Sequence, residues 1–134
     1  MKLNFSPRGI SHLQNGEMLN DTHIDVANPM LRKQFPEVRG LQSPLLGQSL
    51  SFAVTEPPFV QVLHVDTLHW VTLIRVRSSL VKVYDSVFNT AGSSLALQTA
   101  SFLRTKSDNV KATLFWRLKG LNFNWERSTV DFLL

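Results

Sequence analysis

Apolar positions along this chain cluster into three strand-like segments and two helical ones, with turn-forming residues between them. Phe59 to Val65, Trp70 to Val76 and Leu80 to Tyr84 are rich in β-branched and aromatic side chains, which suit a pleated, half-buried surface. Arg77-Ser78-Ser79 supplies a turn between the second and third segments, and Asn89 to Gly92 another after the third. Asn20 or Asp21 can cap a helix whose inward face carries Ile24, Ala27, Leu31 and Phe35. Pro29 lies inside that stretch and predicts a kink or a break, because proline lacks the amide hydrogen of the helical ladder. Ser93 or Ser94 opens a second helix through about Leu103, with Leu95, Ala96, Ala100, Phe102 and Leu103 turned inward. Val110 to Phe115 reads as one more strand. Residues 1–16 are polar and turn-rich, and residues 40–58, with Pro44, Gly47, Pro57 and Pro58, read as an irregular connection. These elements make an α+β domain, a central mixed or antiparallel sheet with flanking helices.

The turn near Ser78 also predicts a register. In an antiparallel hairpin closed there, position i on one strand faces about 156 minus i on the other. Asp85 then faces position 71, and His69 faces position 87. The two side chains meet at the open end of the hairpin if they share a face.

Composition narrows the picture. The chain has 134 residues, enough for one domain, and its 43% hydrophobic content suffices for a packed core. The net charge of +4 comes from 14 basic and 10 acidic residues of mixed sign with no basic run of five. Phosphate binding needs clustered Lys and Arg, so nucleic acid is not the expected partner. No apolar run approaches the roughly 20 residues that span a bilayer, so no membrane association is expected. The segment Met1 to Arg8 lacks the apolar centre of a signal peptide. The expectation is a soluble intracellular protein, nuclear or cytoplasmic and not secreted. Absence of cysteine excludes disulfides and Cys-ligated zinc. The four histidines show no metal-ligand spacing, and no cofactor is implied.

Two residues carry candidate chemistry. His69 opens the second strand and Asp85 closes the third. A carboxylate beside an imidazole can accept its Nδ1–H bond and leave Nε2 as a base. Trp70, next in sequence, could wall a narrow groove. The plainer alternative is a surface histidine at a strand end and an Asp-Ser turn. Ser78, Ser79, Ser86 and Ser128 lack the Gly-x-Ser-x-Gly elbow of a serine nucleophile.

Three segments occur in order: Gly16-Glu17-Met18-Leu19-Asn20-Asp21-Thr22-His23-Ile24, Leu68-His69-Trp70, and Val81-Lys82-Val83-Tyr84-Asp85-Ser86. Together they resemble the SUMO/sentrin-type ubiquitin-like-protein proteases, particularly divergent, transposon-associated members. The resemblance covers roughly residues 10–115. It implies a papain-like cysteine-protease fold and cleavage of an isopeptide or peptide bond after a Gly-Gly tail. It implies a ubiquitin-like protein or its conjugates as partner. His69 would be the general base and Asp85 its orienting carboxylate. Trp70 would roof the Gly-Gly terminus and Asp21 would contact the substrate tail. Met18 stands where the family usually has a second tunnel tryptophan, and Pro29 interrupts the first helix.

Such proteases then need a glutamine and, six residues on, the nucleophile in an Asp-Cys-Gly motif at a helix start, where the thiol pKa is lowered. Neither occurs here. Without a thiolate His69 has nothing to activate, and no peptidase activity is expected. The stretch from about Trp116 has no sustained period and reads as a non-family tail over residues 116–134. Back-translation from the third base of the Glu126 codon is compatible with Ala-Ile-Asp-Cys-Gly-Leu-Phe-Ala, and the same shift upstream places a Gln six residues before that Cys. We hypothesise that this tail is the catalytic segment read out of frame, starting near residues 113–118. The coding DNA tests it: a stop codon, or no Cys codon, in the shifted frame contradicts it. The alternatives are a non-catalytic binding module for a ubiquitin-like protein and a non-functional fragment of a mobile-element protein.

Overall fold

The computed structural model describes residues 6–16, 18–65, 69–76, 80–85, 93–105 and 129–133. It is a mixed α+β arrangement with a five-stranded sheet in the order β1-β2-β3-β4-β5. The strands are β1 (Arg39–Gly40), β2 (Phe59–Val65), β3 (His69–Arg75), β4 (Leu80–Asp85) and β5 (Thr129–Leu133). The helices are α1 (Pro7–Gln14), α2 (Asp21–Gln34), α3 (Leu45–Gln48) and α4 (Ser93–Leu103). β1 runs parallel to β2, and every later neighbour is antiparallel.

The β3–β4 register follows the rule read from the turn: Val71 pairs with Asp85, Thr72 with Tyr84, Leu73 with Val83 and Ile74 with Lys82. With Leu63 opposite Val71 and Gln61 opposite Leu73, one parity of all three strands lies on one face. That face is buried, and carries Phe59, Leu63 and Val65 from β2, Val71 and Leu73 from β3, and Val81 and Val83 from β4. Leu95, Ala96, Ala100 and Phe102 of α4, with Phe52 from the connection before β2, complete the core. The helical face read for α4 matches this, with Leu103 half-buried beside the core.

Other elements differ from the sequence reading. Residues 7–14 are helical rather than turn-rich, with Pro7 at the first position, where a missing amide hydrogen costs nothing. The connection over 40–58 contains β1 and the single turn of α3, elements too short to leave a periodic signature. Gly40 has φ +83, and a Cβ there would come 2.3 Å from the Val60 carbonyl oxygen. The parallel pairing of β1 with β2 therefore requires glycine at this position. Gly47 plays a different part, since a Cβ would meet Gln98 Oε1 at 2.3 Å and Phe52 Cζ at 2.9 Å. Its bareness lets α3 settle against α4.

α2 starts where expected. Asn20 is its N-cap, and its side chain accepts from His23 N (3.2 Å) while His23 Nδ1 accepts from Asn20 N (3.0 Å). This reciprocal pair satisfies two otherwise orphaned donors. The helix continues through an exposed Pro29 as one element, not two. Its inward face is also not the apolar one expected. Ile24, Ala27 and Leu31 are half-buried, Phe35 is exposed, and the buried residues are His23 and Asn28. The reason is that polar bonds hold the helix. Asn28 Nδ2 donates to Gln42 O (3.3 Å) and Arg32 Nη1 to Leu41 O (2.7 Å). Gln42 is held in turn by the buried Gln61, whose Oε1 accepts from Gln42 N (2.9 Å) and whose Nε2 donates to Gln42 O (3.0 Å).

The expected strand over 110–115 lies outside the described residues. Thr129–Leu133, inside the stretch read as patternless, forms β5 and pairs with β4, Val130 opposite Val83 and Phe132 opposite Val81. Among the described residues, no helix is long and apolar enough to cross a membrane.

Candidate functional site

His69 and Asp85 are brought together. His69 sits two residues before Val71, the partner of Asp85, so the pair are diagonal neighbours on one face of adjacent strands. The His69 Nε2 atom meets Asp85 Oδ1. The carboxylate is 4% exposed and the imidazole 19%, so one partner is shut in the core while the other reaches its rim. The contact corrects one expectation. The carboxylate engages Nε2, not Nδ1. The diagonal explains it: Nε2 is the far nitrogen of the ring and spans to the next strand, whereas Nδ1 lies close to the β3 main chain.

Trp70 does not wall the space beside His69. Successive strand residues point to opposite faces, so Trp70 and His69 reach the same end of the sheet from its two sides. On its own face Trp70 meets His64, its cross-strand partner. The two rings stack with centroids 4.1 Å apart and planes 10° from parallel. Trp70 Nε1 donates to the Leu19 carbonyl at 3.3 Å, which ties the approach to α2 onto the sheet. Asp21, the first residue of α2, places Oδ1 3.2 Å from His64 Nδ1. The same nitrogen lies 3.4 Å from Gln48 Nε2 of α3. Gln48 Nε2 can only donate, so His64 Nδ1 accepts from it, and Asp21 Oδ1 stands close to the ring without a hydrogen-bond partner among the described residues.

Asp21 and Trp70 thus share a corner, with His64 between them. Met18, two residues before the Asn20 cap, is 58% exposed at the rim of the same segment. His64 had no distinguishing mark in the sequence reading. The signal that could have found it is the β2–β3 pairing, which makes 64 and 70 direct partners across the connection at 66–68.

The two histidine–aspartate pairs therefore occupy opposite faces of one sheet end, and among the described residues neither adjoins a thiol. No group of three or more His, Cys, Asp or Glu forms a metal-binding set among the described residues. A shallow cavity of about 440 Å³ lined by Arg39, Gly40, Gln42 and residues 53–56 lies at the β1 edge and includes neither pair. No protein-family model, curated protein or solved structure matches the chain.

Proposed function

We propose that this chain is a papain-like domain of the ubiquitin-like-protein protease type that recognises a ubiquitin-like protein and, having no thiol nucleophile, does not cleave it. The observation that supports the reading is the contact of His69 with Asp85 across adjacent strands, a histidine and a carboxylate at the two positions the resemblance assigns, meeting through Nε2 rather than Nδ1. Support for recognition comes from the second corner. Asp21 and Trp70, 49 positions apart in sequence, are drawn to one place by His64 and the Leu19 carbonyl. A half-buried, immobilised indole beside a carboxylate suits a side-chain-free Gly-Gly backbone, which can lie flat against an aromatic plate with little ordering cost to the protein. An acyl-enzyme route is closed, since the 134 residues contain no cysteine.

Titration of the protein with a ubiquitin-like protein ending in Gly-Gly, followed by fluorescence anisotropy, tests this. Saturable binding is expected. It should disappear when the Gly-Gly is removed and weaken about tenfold or more in Trp70→Ala, a loss of about 1.4 kcal/mol. No binding to any ubiquitin-like protein, or binding indifferent to both changes, contradicts the proposal.

A further inference from the structure

We propose that His64 is a positioning residue that holds Trp70 and Asp21 in their recognition geometry, an inference that rests on the function proposed above. Three elements converge on this one ring. Its face lies flat on the Trp70 indole at 4.1 Å. Its Nδ1 stands 3.2 Å from Asp21 Oδ1, a buried oxygen with no hydrogen-bond partner among the described residues, so the ring packs directly against the carboxylate. Gln48 of α3 closes the third side at 3.4 Å. The His64 main chain is fixed as well, since its carbonyl accepts from Gln98 Nε2 of α4 at 2.8 Å. The ring is therefore a fixed strut with two working contacts, one through its face and one through its nitrogen.

The consequence for Trp70 is specific. One face of the indole is covered by imidazole and its N–H is committed to Leu19 O. On the proposed function a ligand would use the opposite face, and these two contacts hold the ring in one orientation toward it. A side chain held this way binds without losing rotamer freedom on complex formation. Removing His64 frees the indole and takes away the ring against which the Asp21 carboxylate is packed, so recognition weakens even though His64 need not touch the partner.

The test separates the two contacts and needs no partner for its first arm. In a Trp116→Phe/Trp125→Phe background the emission reports Trp70 alone. Acrylamide quenching should rise about twofold or more in His64→Ala and return to the starting value in His64→Phe, which restores the aromatic face without the nitrogen. With a Gly-Gly-terminated ubiquitin-like protein, His64→Ala should weaken binding about tenfold. His64→Phe should weaken it by less, and the double variant His64→Ala/Trp70→Ala should fall short of the product of the single losses, as coupled neighbours do. Unchanged quenching in His64→Ala, or losses that multiply, overturns the inference. If the unaltered protein binds no ubiquitin-like partner, the proposed function fails while the quenching comparison still decides whether His64 braces Trp70.

Discussion

Phe102→Ala is expected to lower the free energy of unfolding by about 3–5 kcal/mol. Phe102 closes an aromatic cluster between three pieces of chain. Its ring meets Phe52 edge-on at 5.2 Å and Phe59 at 4.9 Å, with interplanar angles of 84° and 69°. All three rings are buried. Truncation removes two edge-to-face contacts and leaves a cavity where α4, the start of β2 and the connection before it meet. Against a typical total of about 5–15 kcal/mol, such a loss takes much of the stability of a domain this size. α4 covers the face that carries Asp85, so the base–carboxylate pair should loosen with it. Urea denaturation followed by far-ultraviolet circular dichroism measures the change. A midpoint within error of the unaltered protein would mean that α4 is not docked as described.

A second large effect is expected from Gln61→Leu. The side chain is fully buried on the core face of β2, where a leucine of similar volume would fit. Its value is polar. It satisfies Gln42 N and Gln42 O and also donates to Val62 O at 2.9 Å. Gln42 in turn clasps the following loop, donating to Ala53 O (3.1 Å) and Thr55 Oγ1 (2.8 Å) and accepting from Ala53 N (2.9 Å). Leucine would leave the Gln42 amide hydrogen without its acceptor, and each orphaned buried group costs about 1–3 kcal/mol. We expect a loss of about 2–4 kcal/mol on that basis. Amide exchange at Gln42 should accelerate more than exchange in β3. Equal stability and unchanged protection at Gln42 would show that the glutamine pair does not anchor α2 and its loop.

The legible part of this fold is the part whose local and long-range signals agree. β2 was read with its observed bounds, β3 and β4 within a residue, and α4 with most of its buried face. The β3–β4 register followed from one turn, because a tight turn fixes the sum of paired positions. That register brought His69 and Asp85 to the same end of the hairpin and left open whether their side chains share a face, which in the structure they do. The nitrogen that meets the carboxylate was not legible, since it depends on the two residues being one row out of step rather than directly opposite.

α2 shows a different limit. Its apolar residues suggested a packing face, but Asn28 and Arg32 bond to main-chain carbonyls at 41 and 42, and those carbonyls are invisible to a hydropathy pattern. Short elements such as β1 and α3 span only about one period each and carry no repeat to read. The misplacement of Trp70 was avoidable. Strand alternation alone puts residues 69 and 70 on opposite faces, and pairing β2 with β3 would have put His64 beside the indole. β5 was missed because its five residues, Thr129–Leu133, are too few to stand out within the stretch read as a non-family tail.

Under the proposed function, base and carboxylate meet here for a nucleophile absent from the 134 residues, so recognition is uncoupled from cleavage. Incubation of the protein with a ubiquitin-like protein carrying a fluorogenic amide on its terminal glycine measures this. The substrate should be bound and release should stay at background, indistinguishable between the unaltered protein and His69→Ala. Release above background that His69→Ala abolishes would contradict the proposed function.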